Sequence, residues 1–473
     1  ILSLDLNTLE YREKMKVDLP SLKATKNISD LGKRLKTFFE AEDKGGQFVK
    51  KLSIALFAYA SNRIPEIADH LYQIDDAIKA GFGWDKGIFE TWEMVGIDYG
   101  LSFFEGENVK AAAWIQEMLD AGHTSFYRVQ NGVRQYYDIG AKSYKDIPGA
   151  ASFIILEHIK EDKTVWSNAE CSLIDLCDGI LNIEFLSKMN SLGEGVIKGI
   201  HHGLEYAEKN NYEGVVIANE GQNFSVGANL MFMMMMAAQQ EWDELNVAIA
   251  HFQNTSMRLR TAPFPVVAAM HSDKVVAAAE TYIGLVEVGV GLIPGGGGTK
   301  EFAMRAAEKY KEPGVSGNTV LMDYLMNIST AKVAGSAYEA MEMDILQKKD
   351  TVVINGERRI KTAKEEALNM AKAGYVAPKP RTDIPVLGRN TLGTFYAGVS
   401  GMQFGHYASP HDAKIAKKVA FVLCGGDLSG EDNLVSEQYL LDLEREAFLS
   451  LLGEKKTLER IQHMLQTGKP LRN

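Results

Sequence analysis

The feature of this sequence that most constrains its fold is an alternation of short apolar runs with helical patterns, which starts near Glu170. The runs with the length and composition of buried strands are Cys171–Cys177, Ile180–Phe185, Gly214–Ala218 and Pro265–Ala269. Helical patterns separate them at Gly193–Lys209 and Trp242–Arg260. Because this alternation is typical of strands covered by helices, we predict an α/β domain with buried strands.

The segments before this region are predicted to be mainly helical. Leu31–Phe39 and Phe48–Ala60 carry apolar residues at i, i+3 and i+4, as amphipathic helices do. Gly81–Trp92 interrupts this pattern with glycines and aromatic residues, which predicts a tight corner between helices. The Gly, Pro and polar content of Tyr136–Gly149 favours a linker.

Past Ala331 the sequence is again mostly helical. Helices are predicted over Lys361–Ala373, Asp412–Val422 and Leu434–Leu452. At roughly one domain per ~150 residues, a chain of 473 residues allows about three domains. We predict these domains over residues 1–150, 151–380 and 381–473.

The charge balance and the cysteine usage exclude several classes of protein. The formal net charge of −11 argues against a dedicated surface for nucleic acid or anionic membranes. The 3 cysteines form no CxxC pair and the 10 histidines show no HxxxH spacing, so we expect neither a disulfide framework nor a metal site. The longest apolar run, Leu230–Ala238, is shorter than the ~18 residues of a membrane span. A reducing cytoplasm suits these features best.

A first candidate for chemistry is Asn219–Leu230, which follows the predicted strand Gly214–Ala218 and precedes a helical pattern. Small residues at such a turn leave backbone N–H groups unshielded, and these can stabilise negative charge that develops on an oxygen. An ordinary turn of small residues is the alternative. Ser225 does not stand in a GxSxG context, which argues against a serine hydrolase.

A second candidate is Ile283–Thr299, in which Glu287 stands among Val and Gly residues. Desolvation in an apolar context raises the pKa of a carboxyl group, which suits an acid/base role near neutral pH. A glutamate that forms a salt bridge elsewhere is the alternative. Gly295–Gly298 leads into a helix near Lys300 and could cradle a phosphate, although its spacing matches neither GxGxxG nor GxxxxGK(S/T).

The methionine run Met231–Met236 is a third candidate. Flexible thioether side chains suit the wall of an acyl-chain tunnel, and they equally suit gap-filling in a core. Both alternatives stay open on the sequence alone.

Three separated signatures agree in their order along the chain. FSVGANL (224–230) and GLVEVGVGLIPGGGGTKEF (284–302) resemble the crotonase, or enoyl-CoA hydratase/isomerase, family. GFGWDKGIFETW (81–92) resembles the C-terminal helical domain of 3-hydroxyacyl-CoA dehydrogenases, and residues 434–473 resemble the end of large bacterial fatty-acid oxidation proteins that fuse both activities. The resemblance implies a crotonase-like ββα spiral, an α/β fold, flanked by mainly α domains of the dehydrogenase C-terminal type.

The resemblance also implies roles for individual residues. The first backbone N–H donor to the thioester oxygen falls at Val226, and one acid/base glutamate falls at Glu287. The residues expected to line the substrate and its CoA moiety are Ser225, Gly227, Ala228, Asn229, Gly284, Pro294, Gly295 and Gly296.

One departure from the family follows the predicted strand Pro265–Ala269. The family places there a Gly-Gly-Gly segment that supplies a second N–H donor and the other glutamate, whereas here Met270–Asp273 passes straight to Lys274. We expect a dozen or so further residues between Ala269 and Asp273 in the gene product. Losing a strand end and a helix start would cost more than the ~5–15 kcal/mol stability of a domain.

The other departure is at the front of the chain. Family members of this size begin with a Rossmann domain that carries GxGxxG, whereas this chain begins at Ile1 and has no such motif. We expect an excerpt of a longer protein, with NAD bound by a domain outside it. Tyr59–Arg63 is the nearest match to the dehydrogenase F-x-x-N-R stretch, and no catalytic role is assigned to Asn62.

The expected function is an enzyme of fatty-acid β-oxidation. It would hydrate trans-2-enoyl-CoA and, with a Rossmann domain attached, oxidise 3-hydroxyacyl-CoA with NAD. An enoyl-CoA isomerase that uses a single glutamate is one alternative, and a non-catalytic acyl-CoA-binding or docking module is another. The expected partner is an acyl-CoA thioester, with CoA as part of the substrate; a homo-oligomer or a thiolase partner is left open, and neither nucleic acid nor a membrane span is expected.

Overall fold

The computed structural model describes residues 2–13, 17–28, 30–105, 107–221, 223–269, 274–430 and 433–473. The chain falls into two compact units, Ile1–Ala151 and Ser152–Asn473. The predicted division into 1–150, 151–380 and 381–473 stays a prediction. Within the described ranges, no helix combines the length and the apolar composition that a membrane span requires.

The first unit is mainly helical and contains two small antiparallel sheets, β1–β2 and β3–β4–β5. Its elements are β1 Leu2–Leu4, β2 Tyr11–Glu13, α1 Pro20–Thr25, α2 Leu31–Glu40, α3 Lys44–Asn62, α4 Leu71–Phe82, α5 Ile88–Val95, α6 Ile97–Ser102, α7 Ala113–Asp120, β3 Tyr127–Gln130, β4 Val133–Asp138 and β5 Ser143–Asp146. The predicted corner is present but shorter than Gly81–Trp92, because α4 continues to Phe82 and α5 begins at Ile88.

The predicted linker Tyr136–Gly149 is wrong. Most of this segment forms β4, β5 and the turn between them, in which Lys142 has a φ of 49°. Tyr136 and Tyr137 are buried and pack in the apolar core of the unit. The glycine and the polar residues therefore form the turn of a hairpin, while the aromatic side chains supply the burial that holds the hairpin in place.

The second unit is built around a seven-stranded mixed sheet, in the order β12-β11-β10-β9-β8-β7-β6. The strands from β8 to β12 are parallel, and β6–β7–β8 is antiparallel. The elements of this unit are α8 Lys160–Lys163, β6 Thr164–Ser167, β7 Cys171–Asp175, β8 Ile180–Phe185, α9 Glu194–Lys209, β9 Gly214–Ile217, α10 Leu230–Ala238, α11 Trp242–Arg260, β10 Val266–Ala268, β11 Lys274–Ala278, α12 Gly298–Lys309, α13 Gly317–Ser329, α14 Ala337–Glu342, β12 Thr351–Val353, α15 Arg359–Lys372, β13 Ile384–Val386, α16 Gly388–Phe404, α17 Pro410–Leu423, β14 Asn433–Val435, α18 Glu437–Leu452 and α19 Lys455–Thr467.

Both faces of the sheet carry buried apolar clusters, as the mostly apolar runs predict. Leu181 and Ile183 of β8 point to the face that α9 covers. Ile180 of the same strand points to the opposite face, which α15 covers through Ala363 and Ala367. Successive side chains of a strand alternate between faces, so a strand covered on both sides needs apolar residues in nearly every position.

The connection between β10 and β11 is unusually short for parallel neighbours, which normally need a crossover of a dozen or more residues. Val267 pairs with Lys274 and Ala268 with Val275, so the two strands overlap only at the end of β10 and the start of β11. The sheet therefore stays continuous where the family's glycine-rich segment was expected; Met270–Asp273 themselves lie outside the described residues.

The last helices of the chain share one apolar core with the elements that carry the candidate site. Residues of α12 and α13, such as Phe302 and Leu325, belong to the same buried cluster as Val419 of α17, Phe448 of α18 and Ile461 of α19. The predicted helices at Asp412–Val422 and Leu434–Leu452 are present, although the second begins at Glu437 because 433–435 is a strand.

Candidate active site

Glu287 begins a short 3-10 turn, Glu287–Val290, that is held in the core by its neighbours Val288 and Val290. Among the described residues, its Oε2 atom is buried and has no hydrogen-bond partner. Burial raises the pKa of this carboxyl group to about 7. No salt bridge to it is present in the described part of the chain, so the salt-bridge alternative is not supported. An isolated carboxyl group with a raised pKa can give or take a proton near neutral pH.

The loop before α10 presents the predicted N–H donor. Ser225 Oγ accepts a hydrogen bond from Gly227 N (3.0 Å), and Gly227 has a φ of 84°, which favours glycine. Gly227 O in turn accepts from Leu192 N (2.8 Å), which ties this loop to the segment before α9. Val226 is half exposed, and no hydrogen bond of the described residues engages its N–H. A fixed and unpaired N–H group of this kind can bind a carbonyl oxygen.

The residues that follow Val226 shape the start of α10. Asn229 Oδ1 accepts from Phe232 N (3.2 Å) and so caps the helix, while Ala228 bridges to Leu192. The predicted contacts of Ser225, Gly227, Ala228 and Asn229 with a substrate stay predictions.

Helix α19 contacts both α10 and the turn that begins at Glu287. Met233, Met234 and Met236 of α10 pack against the core that contains Val288, whereas Met231 and Met235 are exposed. One face of the helix thus fills a core, as one alternative expects, and the acyl-chain tunnel stays a prediction.

The glycine run is required by close packing. A Cβ atom on Gly295 would lie 2.7 Å from the Phe448 ring, and one on Gly296 would lie 2.2 Å from the Phe252 ring. A Cβ atom on Gly284 would lie 2.5 Å from Lys332 O. Pro294 is buried. The predicted roles of Gly284, Pro294, Gly295 and Gly296 at an acyl site stay predictions.

The N–H groups that follow the glycines are already bonded to a carboxylate of the chain. Glu444 of α18 is fully buried and accepts from Gly297 N (2.6 Å), Thr299 N (2.9 Å) and Lys300 N (3.1 Å) at the start of α12. Gln253 Nε2 donates to the same carboxylate (3.3 Å). An internal anion therefore satisfies this helix N-terminus, and the phosphate-cradle alternative is not supported.

The sequence reasoning missed Glu444, although the sequence contains a signal. Leu440, Ala447 and Leu451 lie on the buried face of α18 at helical spacing, and Glu444 falls on the same face. A carboxylate in a core-facing position requires several donors, and so it indicates a polar partner on a neighbouring element.

Two further expectations concern Met270–Asp273 and Asn62. The second N–H donor and the second glutamate were expected around Met270–Asp273, which lies outside the described residues. Asn62 Nδ2 donates to Ala58 O (2.8 Å) and Lys110 O (2.9 Å), so its amide is used to hold a loop against α3.

Comparison with known proteins finds one family match within the chain and several relatives. Residues 176–312 match the enoyl-CoA hydratase/isomerase family. Over 100% of its length the chain is 38% identical to a Bacillus subtilis protein named probable 3-hydroxyacyl-CoA dehydrogenase, of which it spans 61%. It is 22% identical, over 98% of its length, to a putative fatty acid oxidation complex trifunctional enzyme of Rickettsia felis, of which it spans 58%.

Solved structures similar to the chain include two proteins with 14% identity. A carnitinyl-CoA dehydratase from Mycobacterium thermoresistibile covers 64% of this chain and 91% of its own, with a TM-score of 0.44. An enoyl-CoA hydratase from Bacillus halodurans covers 62% of this chain and 99% of its own, with a TM-score of 0.40. The family match and the helix-covered sheet confirm the predicted fold class, a crotonase-type α/β domain with mainly helical flanks.

Proposed function

The chain carries an enoyl-CoA hydratase/isomerase domain in residues 176–312, and from this premise we propose that it acts on acyl-CoA thioesters of fatty-acid β-oxidation. The proposed reaction is the hydration of trans-2-enoyl-CoA. Val226 N–H would hold the thioester oxygen and stabilise the enolate-like charge that develops there. Glu287 would transfer a proton at the adjacent carbon.

The observation that carries this proposal is the state of Glu287. Its buried Oε2 has no partner among the described residues, and its pKa is raised by burial to about 7. Leaving a buried polar group without a hydrogen bond costs about 1–3 kcal/mol. A substrate-facing role accounts for such a cost, since strain and unpaired groups are typical of functional sites.

An isomerase that uses Glu287 alone is the second candidate. A hydratase needs a water between two carboxylates, whereas a double-bond isomerase can move one proton with a single glutamate. The five residues 269–273 that join β10 to β11 contain no glutamate. The absence of a glutamate from this connection is the specific feature that favours isomerisation for the sequence of 473 residues.

Oxidation of 3-hydroxyacyl-CoA with NAD belongs to the proposal only for a longer protein. The glycine-rich turn that leads into α12 does not fit a dinucleotide, because its N–H groups are bonded to Glu444. No residue of this chain is therefore assigned to NAD, which a domain outside these 473 residues would bind. A cytoplasmic location and a homo-oligomer or thiolase partner are part of the same proposal.

The test is the activity of Glu287→Gln on two substrates. Hydration of crotonyl-CoA is measured as a loss of the absorbance of the conjugated thioester. Isomerisation of a 3-enoyl-CoA is measured as a gain of the same absorbance. We expect a loss of about 10²–10⁴-fold in the reaction that the wild type performs. Glu280→Gln is the matched control, because Glu280 is an exposed glutamate of the same segment.

The outcome separates the candidates. Wild-type hydration lost in Glu287→Gln supports the hydratase, and isomerisation alone supports the isomerase. Binding of acyl-CoA by the wild type without turnover would support the non-catalytic module. Full activity of Glu287→Gln would refute the role of this residue.

A further inference from the structure

The turn that carries Glu287 is held from outside by two side chains of α19. Thr457 Oγ1 donates to Gly291 O (2.9 Å), the residue that ends the turn. Arg460 Nη1 donates to Val288 O (3.4 Å), the residue next to Glu287. Thr457 and Arg460 are both fully buried.

These two donors are themselves held by α17. His411 Nε2 lies 2.9 Å from Thr457 Oγ1. Because Thr457 gives its hydroxyl proton to Gly291 O, the imidazole is the donor in this pair, and burial lowers the pKa of His411 and favours its neutral form. Asp412 Oδ1 accepts from Arg460 Nη1 (2.8 Å) and pairs with the buried guanidinium.

The turn and α19 are in direct contact, and Gly291 has no space for a side chain. Gly291 has a φ of 87°, and a Cβ atom on it would lie 2.8 Å from Thr457 Oγ1 and 2.9 Å from Thr457 Cα. A Cβ atom on Gly289 would lie 3.9 Å from the Cβ of Pro470, which follows the end of α19. The backbone that orients Glu287 therefore rests on α19 and on the residues that follow it.

We propose that Thr457 and Arg460 are positioning residues for Glu287: they fix the backbone inside the turn at Val288 and at its end at Gly291, and so set the direction of the Glu287 carboxyl group. The inference rests on the proposed function of Glu287. Its physical basis is that an acid/base group works only when held near the reacting atom, so a small displacement of its backbone lowers the rate of the chemical step.

The test compares Thr457→Val with Thr457→Ser. Valine keeps the volume and removes the hydroxyl group, whereas serine keeps the hydroxyl group. We expect Thr457→Val to lower kcat by about tenfold with KM changed by less than about twofold, and Thr457→Ser to restore most of kcat. Hydrogen exchange of the Gly291 and Leu292 amides, which bond to Val288 O and Glu287 O, should rise in Thr457→Val only.

A second variant guards against a general loss of folding. Arg460→Lys keeps a buried cation near Asp412 but changes the donor geometry at Val288 O, and we expect the same fall in kcat at a far-UV spectrum equal to that of the wild type. Unchanged kcat in both Thr457→Val and Arg460→Lys overturns the inference.

The two proposals can fail separately. If the wild type performs neither hydration nor isomerisation, the proposed function fails, and hydrogen exchange alone judges the positioning role. Exchange of the Gly291 and Leu292 amides that is equal in wild type and Thr457→Val then overturns that role.

Discussion

Two buried glutamates of this chain have a pKa raised to about 7 by burial, yet their surroundings are opposite. Glu444 accepts three backbone N–H bonds and one from Gln253, so its carboxylate is fully used inside the protein. Glu287 has an Oε2 atom without a partner among the described residues. The raised pKa therefore does not distinguish the two glutamates; the unpartnered Oε2 atom of Glu287 does.

The same contrast holds for the backbone donors. Gly297, Thr299 and Lys300 present N–H groups at a helix N-terminus, and Glu444 occupies all of them. The N–H of Val226 has no hydrogen bond in the described part of the chain. The N–H groups at the start of α12 are therefore satisfied within the chain, whereas the Val226 N–H and the Glu287 Oε2 are not paired in the described part of it.

The largest expected effect is on the stability that Glu444 contributes at the start of α12. Glu444→Met should lower the free energy of unfolding by about 3–5 kcal/mol, because it leaves the buried donors at the start of α12 without an acceptor. Chemical denaturation of both proteins measures this difference. Glu446→Gln, two positions further along α18 on its accessible side, is the control. A loss below that of the control would mean that the carboxylate does not hold this loop.

The next effect is on the activity that depends on the unpaired N–H group of Val226. Val226→Pro removes the N–H group and should lower kcat by about 10²–10³-fold, as for the loss of one oxyanion donor. Val226→Ala keeps the N–H group and serves as the control, since the Val226 side chain is half exposed. Steady-state kinetics on the substrate that the wild type turns over checks this. Equal activity of the two variants would contradict the assignment of the donor.

A smaller effect of opposite sign is expected at Glu287. Glu287→Met should raise the free energy of unfolding by about 1–3 kcal/mol, because it replaces a carboxyl group whose buried Oε2 atom has no partner among the described residues by an apolar side chain of similar length. Thermal and chemical unfolding measure the gain. A loss of stability as large as that of Glu444→Met would erase the contrast between the two glutamates.

The smallest effect, measured per pH unit, is on the pH dependence of stability. The folded-state pKa of Glu287 is about 7, above the ordinary value of 4.5, so between these pH values the folded protein keeps a proton that the unfolded chain has released. The contribution is present in full below about pH 4.5 and is lost as the pH rises to about 7. Subtracting the Glu287→Gln curve from that of the wild type should leave a fall of up to about 1.4 kcal/mol per pH unit. Parallel curves would show that the pKa of Glu287 is not raised.

Much of the α/β architecture could be predicted from local pattern. Ile180–Phe185 forms a strand covered on both faces, as expected, although two of its six residues, Asn182 and Glu184, are polar. Tyr136–Gly149 could not be assigned in this way, because its strands are stabilised by tyrosines that pack against distant helices. Glu287 could be singled out because its isolation among apolar residues is a local property of the sequence.

The sequence by itself determined the strands, the helices and one candidate acid, because the periodicity of apolar residues and the context of Glu287 are written in adjacent positions. Only the tertiary structure decided that the glycine run holds a carboxylate of the chain itself, and that α19 supports the turn of Glu287. Gly297 and Glu444 are 147 positions apart, and Gly291 and Thr457 are 166 apart. Contacts at such separations depend on how the helices pack, and no local pattern records them.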